Sequence, residues 1–404
     1  MSLLGEEGDL DPMSDRETER SMNRKAKRVV SRQGILVHAF LGLVFLAGCA
    51  EEHGDVHVPA SQREISGDVV CSECSIRAQE VATLEGDRVA GEPRSIVRTS
   101  KGHYLVAFWP TGDEILEFDS SGRFLRVFAP TGQGPGEVTR VGHIEIIGSD
   151  TVRVYDLGRV QTFSRSGEFL RAERLPVSSV ENAVSLNGDR VVLNAGTSTP
   201  DGEGAPLQLV QGNDAIRFFG VVDPTVGPDT PHLMLRSLTS DGVRRIWSAG
   251  LTKYEIREWN PDGESAGSWT REVPWFRPWN QLSSITAESP PDPRLVDIQW
   301  TAGDRLLVLL RIPSQDWREH LGPPQHRPGQ EPMYPEAAWH RVFGTRFELV
   351  DLSEGRVILQ ADEPQSAVLF MGDGHIAGYS EDEMGEPAIT IWEYSIDTAG
   401  VSGK

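Results

Sequence analysis

The chain has 404 residues, of which 60 are Asp or Glu and 39 are Lys or Arg, a net charge of −21. That balance argues against a protein that grips phosphate backbones, because such affinity rests on Lys and Arg displacing counterions, and nucleic acid is not an expected partner. With 38% hydrophobic residues the chain can bury a sizeable core, and its length fits two to four ordinary domains or one large all-β unit.

The first element is an address. Residues 1–21 place seven acidic side chains before a positive region, so they read as lying upstream of a true start at Met22. From there five cations (Arg24, Lys25, Lys27, Arg28, Arg32) precede a mostly apolar run from Ile35 to Leu46, the layout of a secretory signal. The run is short of the roughly 20 residues that cross a bilayer as a helix. Leu46-Ala47-Gly48-Cys49 follows at once and resembles the lipobox of bacterial lipoproteins. That resemblance implies a signal peptide over 22–48 and lipid attachment at Cys49, the mature first residue. Ala50 rather than Asp after the cysteine is similar to the proteobacterial sorting pattern for the outer membrane. Membrane contact is then expected through the lipid alone. Losing residues 1–49 removes seven basic and seven acidic groups, so the exported part keeps the whole imbalance.

Residues 49–75 read as a tether that carries Cys71 and Cys74 in the pattern C-S-E-C. Outside the cytoplasm three readings compete: a local disulfide, half of a metal site, or a redox-active pair. A structural zinc site needs about four ligands, and no second C-x-x-C or H-x-x-x-H supplies the rest. A thioredoxin-like pair would open a helix, which the following SIRAQEVATL does not offer. The disulfide is the favoured reading.

Beyond this point short runs of Val, Ile, Leu and aromatics are punctuated by Gly and Asp, which reads as strands and turns. A strand after a Gly or Asp turn recurs six times, from Gly102, Ser149, Gly188, Asp241, Gly303 and Asp373. Each is followed by a second strand, from Ile115, Val160, Leu207, Tyr254, Phe347 and Ile389, and several by a third, from Gly122, Gly167 and Gly355. An apolar stretch precedes each unit, as at Ser95, His143, Asn182 and Leu295. Four short strands per unit, repeating about every 40 to 70 residues, predict a six-bladed β-propeller of four-stranded antiparallel blades over residues 76–397. The last unit stops soon after Tyr394, while the strand-like Ile76–Leu84 precedes the first complete one. That early strand is expected to complete the last blade and close the ring.

Residues 132–173 combine a Gly132-x-Gly134-Pro135-Gly136-Glu137 loop, Tyr155-Asp156 at a strand end, Arg159, and Ser166-Gly167-Glu168-Phe169-Leu170 leading outward. In this the chain resembles the NHL-type six-bladed propellers, and the unit from Arg94 to Phe128 fits almost as well. The later units lack the loop, so the likeness extends over the body as architecture and over two units as motif. Such propellers serve as binding scaffolds, lactonases, lyases and sensor domains, so the resemblance implies a fold rather than an activity. The glycine-rich loop holds a proline and precedes no helix, and reads as a turn between blades.

Two insertions break the repeat, at 271–293 and 313–340. Residues 271–293 hold five prolines and 313–335 six, eleven of the chain's 26, while Trp275, Phe276, Trp279, Trp317, Tyr334 and Trp339 are poor choices for a solvated linker. Either they cover apolar surface on neighbouring blades, or they wall a binding cleft with Trp275, Trp279 and Trp317 as stacking surfaces and His320, His326 and His340 as polar contacts. The starts of the innermost strands ring the channel, and they include Arg94, His143, Asn182, His232 and Arg294. A polar ring there suits an anion, a sugar or a peptide.

No G-x-S-x-G elbow, H-E-x-x-H pair, P-loop or Rossmann glycine pattern occurs. The expected function is a lipid-anchored cell-envelope module that binds a protein, a glycan or a small molecule without catalysis and without a cofactor. The alternative, from the resemblance to propeller lactonases, is a hydrolase using a divalent cation at the channel mouth. Glu137, Asp156, Asn182 and Asp297 are its candidate ligands.

Overall fold

The computed structural model describes residues 61–398 apart from 111–112, 149–150, 188, 196–204, 221–230, 281–287, 324–338 and 364–365. The signal segment, Cys49, His326 and Tyr334 lie outside the described residues.

Three strands come first: β1 (Gln62–Glu64), β2 (Ser66–Val69) and β3 (Ser75–Leu84). Blade one is β4 (Pro93–Arg98), β5 (Tyr104–Phe108), β6 (Ile115–Phe118) and β7 (Phe124–Ala129). Blade two is β8 (His143–Ile147), β9 (Thr151–Asp156), β10 (Arg159–Ser164) and β11 (Phe169–Arg174). Blade three is β12 (Asn182–Ser185), β13 (Arg190–Asn194), β14 (Leu207–Gln211) and β15 (Asp214–Phe219). Blade four is β16 (Arg236–Ser240), β17 (Ile246–Gly250), β18 (Glu255–Trp259) and β19 (Ser265–Thr270). Blade five is β20 (Arg294–Ala302), β21 (Arg305–Pro313), β22 (Phe343–Asp351) and β23 (Arg356–Glu363). Blade six is β24 (Ala367–Gly372), β25 (His375–Glu381) and β26 (Pro387–Asp397), completed by β3. The protein is an all-β, six-bladed propeller.

Position in the blade explains the residue pattern. A second strand has a neighbouring blade on both faces, so it is apolar without alternation: every side chain of β5 is buried, as is Leu306–Leu310 in β21. An outermost strand such as β11 leaves most of its side chains in water. Apolar clusters fill each of the six junctions. Leu105, Ala107 and Ile115 of blade one meet Ile144, Val152 and Val154 of blade two. The ring closes where Ala82, Leu84, Ile389 and Ile391 meet Ile96, Tyr104 and Val106. Here β3 pairs antiparallel with β26, from Ser75 opposite Asp397 to Leu84 opposite Ile389, so the early strand takes the place expected of it.

The segment ahead of it departs from the expected tether. β1 adds parallel to β19 and β2 parallel to β23, so residues 62–69 lie along the outer edges of blades four and five. The side chains of β1 and β2 are exposed, while Ile65 between them is 1% exposed and packs into the cluster between blades four and five. The strap is thus held by backbone pairing and one buried side chain, and it covers edges that would otherwise invite pairing with another chain. Cys71 and Cys74 are joined in a disulfide between this strap and β3. Cys71 is buried beside Ile358, whose carbonyl accepts its N–H at 3.0 Å.

One strand start moves. His232, expected at the start of an inner strand, lies in a short 3-10 turn, Pro231–Met234, and β16 begins at Arg236. Buried Asn194 fixes that register: its Nδ2 donates to the Met234 carbonyl at 2.9 Å and its Oδ1 accepts from the Arg236 N–H at 2.9 Å.

Candidate functional site at the channel mouth

In each blade the first and third strands run away from one mouth of the channel, and the second and fourth return to it. The loops between second and third strands, and those between blades, therefore gather at one mouth with the starts of the innermost strands. The described ends of both insertions fall there, because 271–293 joins blades four and five and 313–340 joins β21 to β22. The Gly132–Glu137 loop, between blades one and two, falls there too.

The inner strands enclose a cavity of about 930 Å³, and Arg94, His143, Asn182, His232 and Arg294 all line it. Arg94 donates to Glu181 at 2.7 Å and its guanidinium lies 4.9 Å from the Trp109 ring centre. The Arg294 guanidinium lies 5.1 Å from the Phe343 ring. Arg140 is exposed and makes no ion pair among the described residues. His232 stacks on Trp279 at 5.3 Å, burial lowers its pKa, and its Nε2 is enclosed without a hydrogen-bond partner. The pattern missed Glu92, Trp109, Arg140 and Glu181, although three of these precede a nominated strand start by one to three residues. Glu92 accepts from Arg311 at 2.8 Å, and the Arg311 guanidinium packs on Trp339.

Two titrating groups sit deeper. Burial pushes the His143 imidazole down to about 4. Asp297 is pushed up to about 6 by burial, against hydrogen bonds from Ser237 Oγ and from the N–H groups of Ile298 and Phe370 at 2.9 and 2.8 Å. It thereby joins the inner strands of blades four, five and six. The two act in opposite senses. His143 contributes stability that is present above its ordinary value of 6.5 and is lost as pH falls through 4. Asp297 contributes stability present below about 3.8 and lost as pH rises through 6. The His143→Gln variant should lose about 1 to 3 kcal/mol less than the parent between pH 7 and pH 4 in urea unfolding series. Equal losses would mean that the ring titrates as it does in water.

The proposed ligands of a cation are divided between two places. Asn182 and Asp297 line the cavity. Glu137, in the glycine-rich loop, and Asp156, at the end of β9, are spent on holding that loop and its exit: Glu137 accepts from the Gly134 N–H at 2.8 Å, and Asp156 from the N–H groups of Thr139 and Arg140 at 3.1 and 2.8 Å. Arg159 locks the same loop through Asp156 and the carbonyls of Gln133 and Glu137. Among the described residues no three His, Cys, Asp or Glu side chains come together as metal ligands.

Of the two readings of the insertion tryptophans, burial favours the one in which they cover the blades. Trp279 and Trp317 are 8% and 5% exposed. Trp279 is covered by His232 and donates to the Pro293 carbonyl at 2.9 Å, and Trp317 makes a small core with Val342 and Phe343. Trp275 is half-buried, with the guanidiniums of Arg271 and Arg346 packed on it at 5.6 and 4.4 Å. These rings carry the insertions across the blades. His320 is half-buried and 3.1 Å from Asp316, away from the channel cavity.

A family model described as a 6-bladed beta-propeller matches residues 88–194, from the approach to blade one through β13. Comparison with curated proteins finds none that matches. Among solved structures, a protein from Bacteroides fragilis named for its expected export has a TM-score of 0.50 at 10% identity, covering 83% of this chain and 99% of its own. A member of the duf4221 family from Bacteroides vulgatus has a TM-score of 0.52 at 10% identity, covering 80% of this chain and 98% of its own. Likeness at such identity is likeness of fold.

Proposed function

We propose that this chain is an exported, lipid-anchored propeller of the bacterial cell envelope that binds a ligand or partner protein at its channel mouth without catalysis. The signal layout and Cys49 support export and anchoring, with the outer membrane favoured by Ala50. The expected export of the Bacteroides fragilis protein of like fold agrees with this. The NHL-like motifs of the first two units are taken as a likeness in blade construction.

One observation carries the binding reading: five residues from separate inner strands and loops converge on one cavity of about 930 Å³, with Arg94, Arg140 and Arg294 among its lining. Guanidiniums held over aromatic rings are positioned before a ligand arrives, so less side-chain entropy is lost on binding. A photoreactive residue at position 140 should crosslink a partner or ligand in intact cells, and Arg94→Ala with Arg294→Ala should reduce the adduct at least tenfold while the purified variant keeps the parent's circular dichroism spectrum. The same probe at position 121, in the hairpin at the opposite mouth, should give none. Equal adducts from both positions, or an adduct indifferent to the arginines, would overturn the reading.

A further inference from the structure

A second cavity, of about 740 Å³, lies on the same face between blades five and six and shares no lining residue with the channel. Its walls are the described ends of the 313–340 insertion, the ends of β23 and β25, and the side of β26. Two of its buried side chains end in unpaired polar atoms. His340 is 8% exposed and Ser366 is 3% exposed, yet His340 Nε2 and Ser366 Oγ have no hydrogen-bond partner. Each atom has given up water and gained nothing from the protein in exchange, which is unfavourable unless a ligand completes it.

The surroundings are held in place. Tyr379 Oη donates to Glu381 at 2.7 Å, and Arg346 binds Asp362 through two hydrogen bonds of 2.6 Å. The His340 ring meets Tyr379 edge-on at 5.5 Å, and Trp339 stacks on Tyr379 at 5.9 Å. Trp392 forms a further wall, and its position depends on Gly378: a Cβ there would come within 2.2 Å of the indole.

The lining also selects a chemistry. Asp316, Asp362, Glu363 and Glu381 outnumber the two guanidiniums beside them, Arg341 in the lining and Arg346 on Asp362, so an anion is repelled. A hydroxyl and a neutral imidazole offer both donor and acceptor capacity, and carboxylates that already hold one donor keep further lone pairs. Hydroxyl groups on a saturated ring both donate and accept as these partners require, and the apolar face of such a ring suits the half-buried Trp392. We propose that the cleft between blades five and six binds a neutral saccharide, with Ser366 and His340 as its buried hydrogen-bonding floor. The site is independent of the channel mouth and stands or falls separately from it.

The test is a glycan array probed with the full chain, followed by calorimetric titration of the best neutral oligosaccharide into the parent, Ser366→Ala and His340→Phe. Ser366→Ala removes the unpaired hydroxyl and His340→Phe replaces the ring nitrogens with a somewhat larger apolar ring, so each should stay folded by circular dichroism while affinity falls at least tenfold. Absence of binding to every neutral glycan overturns the proposal, as does preference for sulfated glycans or for spermidine over neutral sugars. A neutral sugar whose affinity falls in Arg94→Ala but not in Ser366→Ala or His340→Phe belongs to the channel, and also overturns it.

Discussion

Replacing Glu348 with alanine should lower the unfolding free energy by about 3 to 5 kcal/mol in urea titrations, the range expected when one partner of a buried ion pair is removed. The Glu348 side chain is wholly buried and that of Arg271 is 1% exposed. Arg271 Nη1 donates to both carboxylate oxygens, and Tyr254 Oη donates to one of them at 2.5 Å. Burial and the carboxylate together hold the Tyr254 hydroxyl well above its ordinary pKa. Glu348 belongs to β22 of blade five, whereas Tyr254 and Arg271 flank the outer strands of blade four, so the cluster crosses the junction. Arg271 Nη2 also reaches the Gly67 carbonyl at 3.1 Å, tying in the strap. Without the carboxylate a guanidinium stays buried with its charge uncompensated, and the tyrosine loses its acceptor. The double variant Glu348→Leu with Arg271→Met should recover most of the loss, because no charge is then stranded. A single variant that costs less than about 1 kcal/mol would mean that water reaches the pair.

The blades were legible because their middle strands have a neighbour on both sides. Leu306–Leu310 cannot be mistaken for a half-exposed strand, and its turn at Gly303 recurs in five other places. The closure strand was legible for a related reason: Ile76–Leu84 has strand character and no unit of its own. The strap was not. Gln62–Glu64 and Ser66–Val69 point their side chains into water and attach through N–H and C=O groups that every residue shares, and Ile65 between them is a lone buried apolar residue, too little for a periodicity to mark the strap. The channel residues were found because the start of an inner strand is a local feature, with His232 displaced only by the turn before β16. The tryptophans of the insertions were ambiguous for the opposite reason, since a ring that seals a blade and a ring that meets a ligand are the same residue in the same kind of loop. The sequence marks Asp297 only as a candidate cation ligand, because its part in joining three inner strands depends on partners from other blades. Asp297 collects its donors from β16, β20 and β24, and Ser366 is notable only for the partner it lacks.

Deletion of residues 76–84 should abolish cooperative thermal unfolding near the parent's melting temperature, by calorimetry of the full chain with and without the segment. β3 carries two kinds of contact that nothing else supplies. Its backbone pairs with β26 along that strand's length, and without it an eleven-residue strand becomes a free edge. Its Ala82 and Leu84 belong to the cluster between blades six and one, where Leu84 is wholly buried beside Ile389 and blade one. Leu84→Ala alone should cost about 2 to 5 kcal/mol, the range for a buried leucine whose site cannot collapse. Blade one also leans on the strand directly: a Cβ at Gly122 would come within 2.1 Å of the Thr83 carbonyl, so that turn was shaped against β3. Propeller blades bury their faces on one another, and opening one junction exposes the apolar faces of two blades at once. A synthetic peptide of residues 75–84 added to the deleted protein should restore the transition, because strand addition reuses the same backbone pairing. An unchanged melt after deletion would mean that the ring is held by its other five junctions and that β3 is an accessory edge; a lost melt that the peptide rescues places closure of the ring in that pairing.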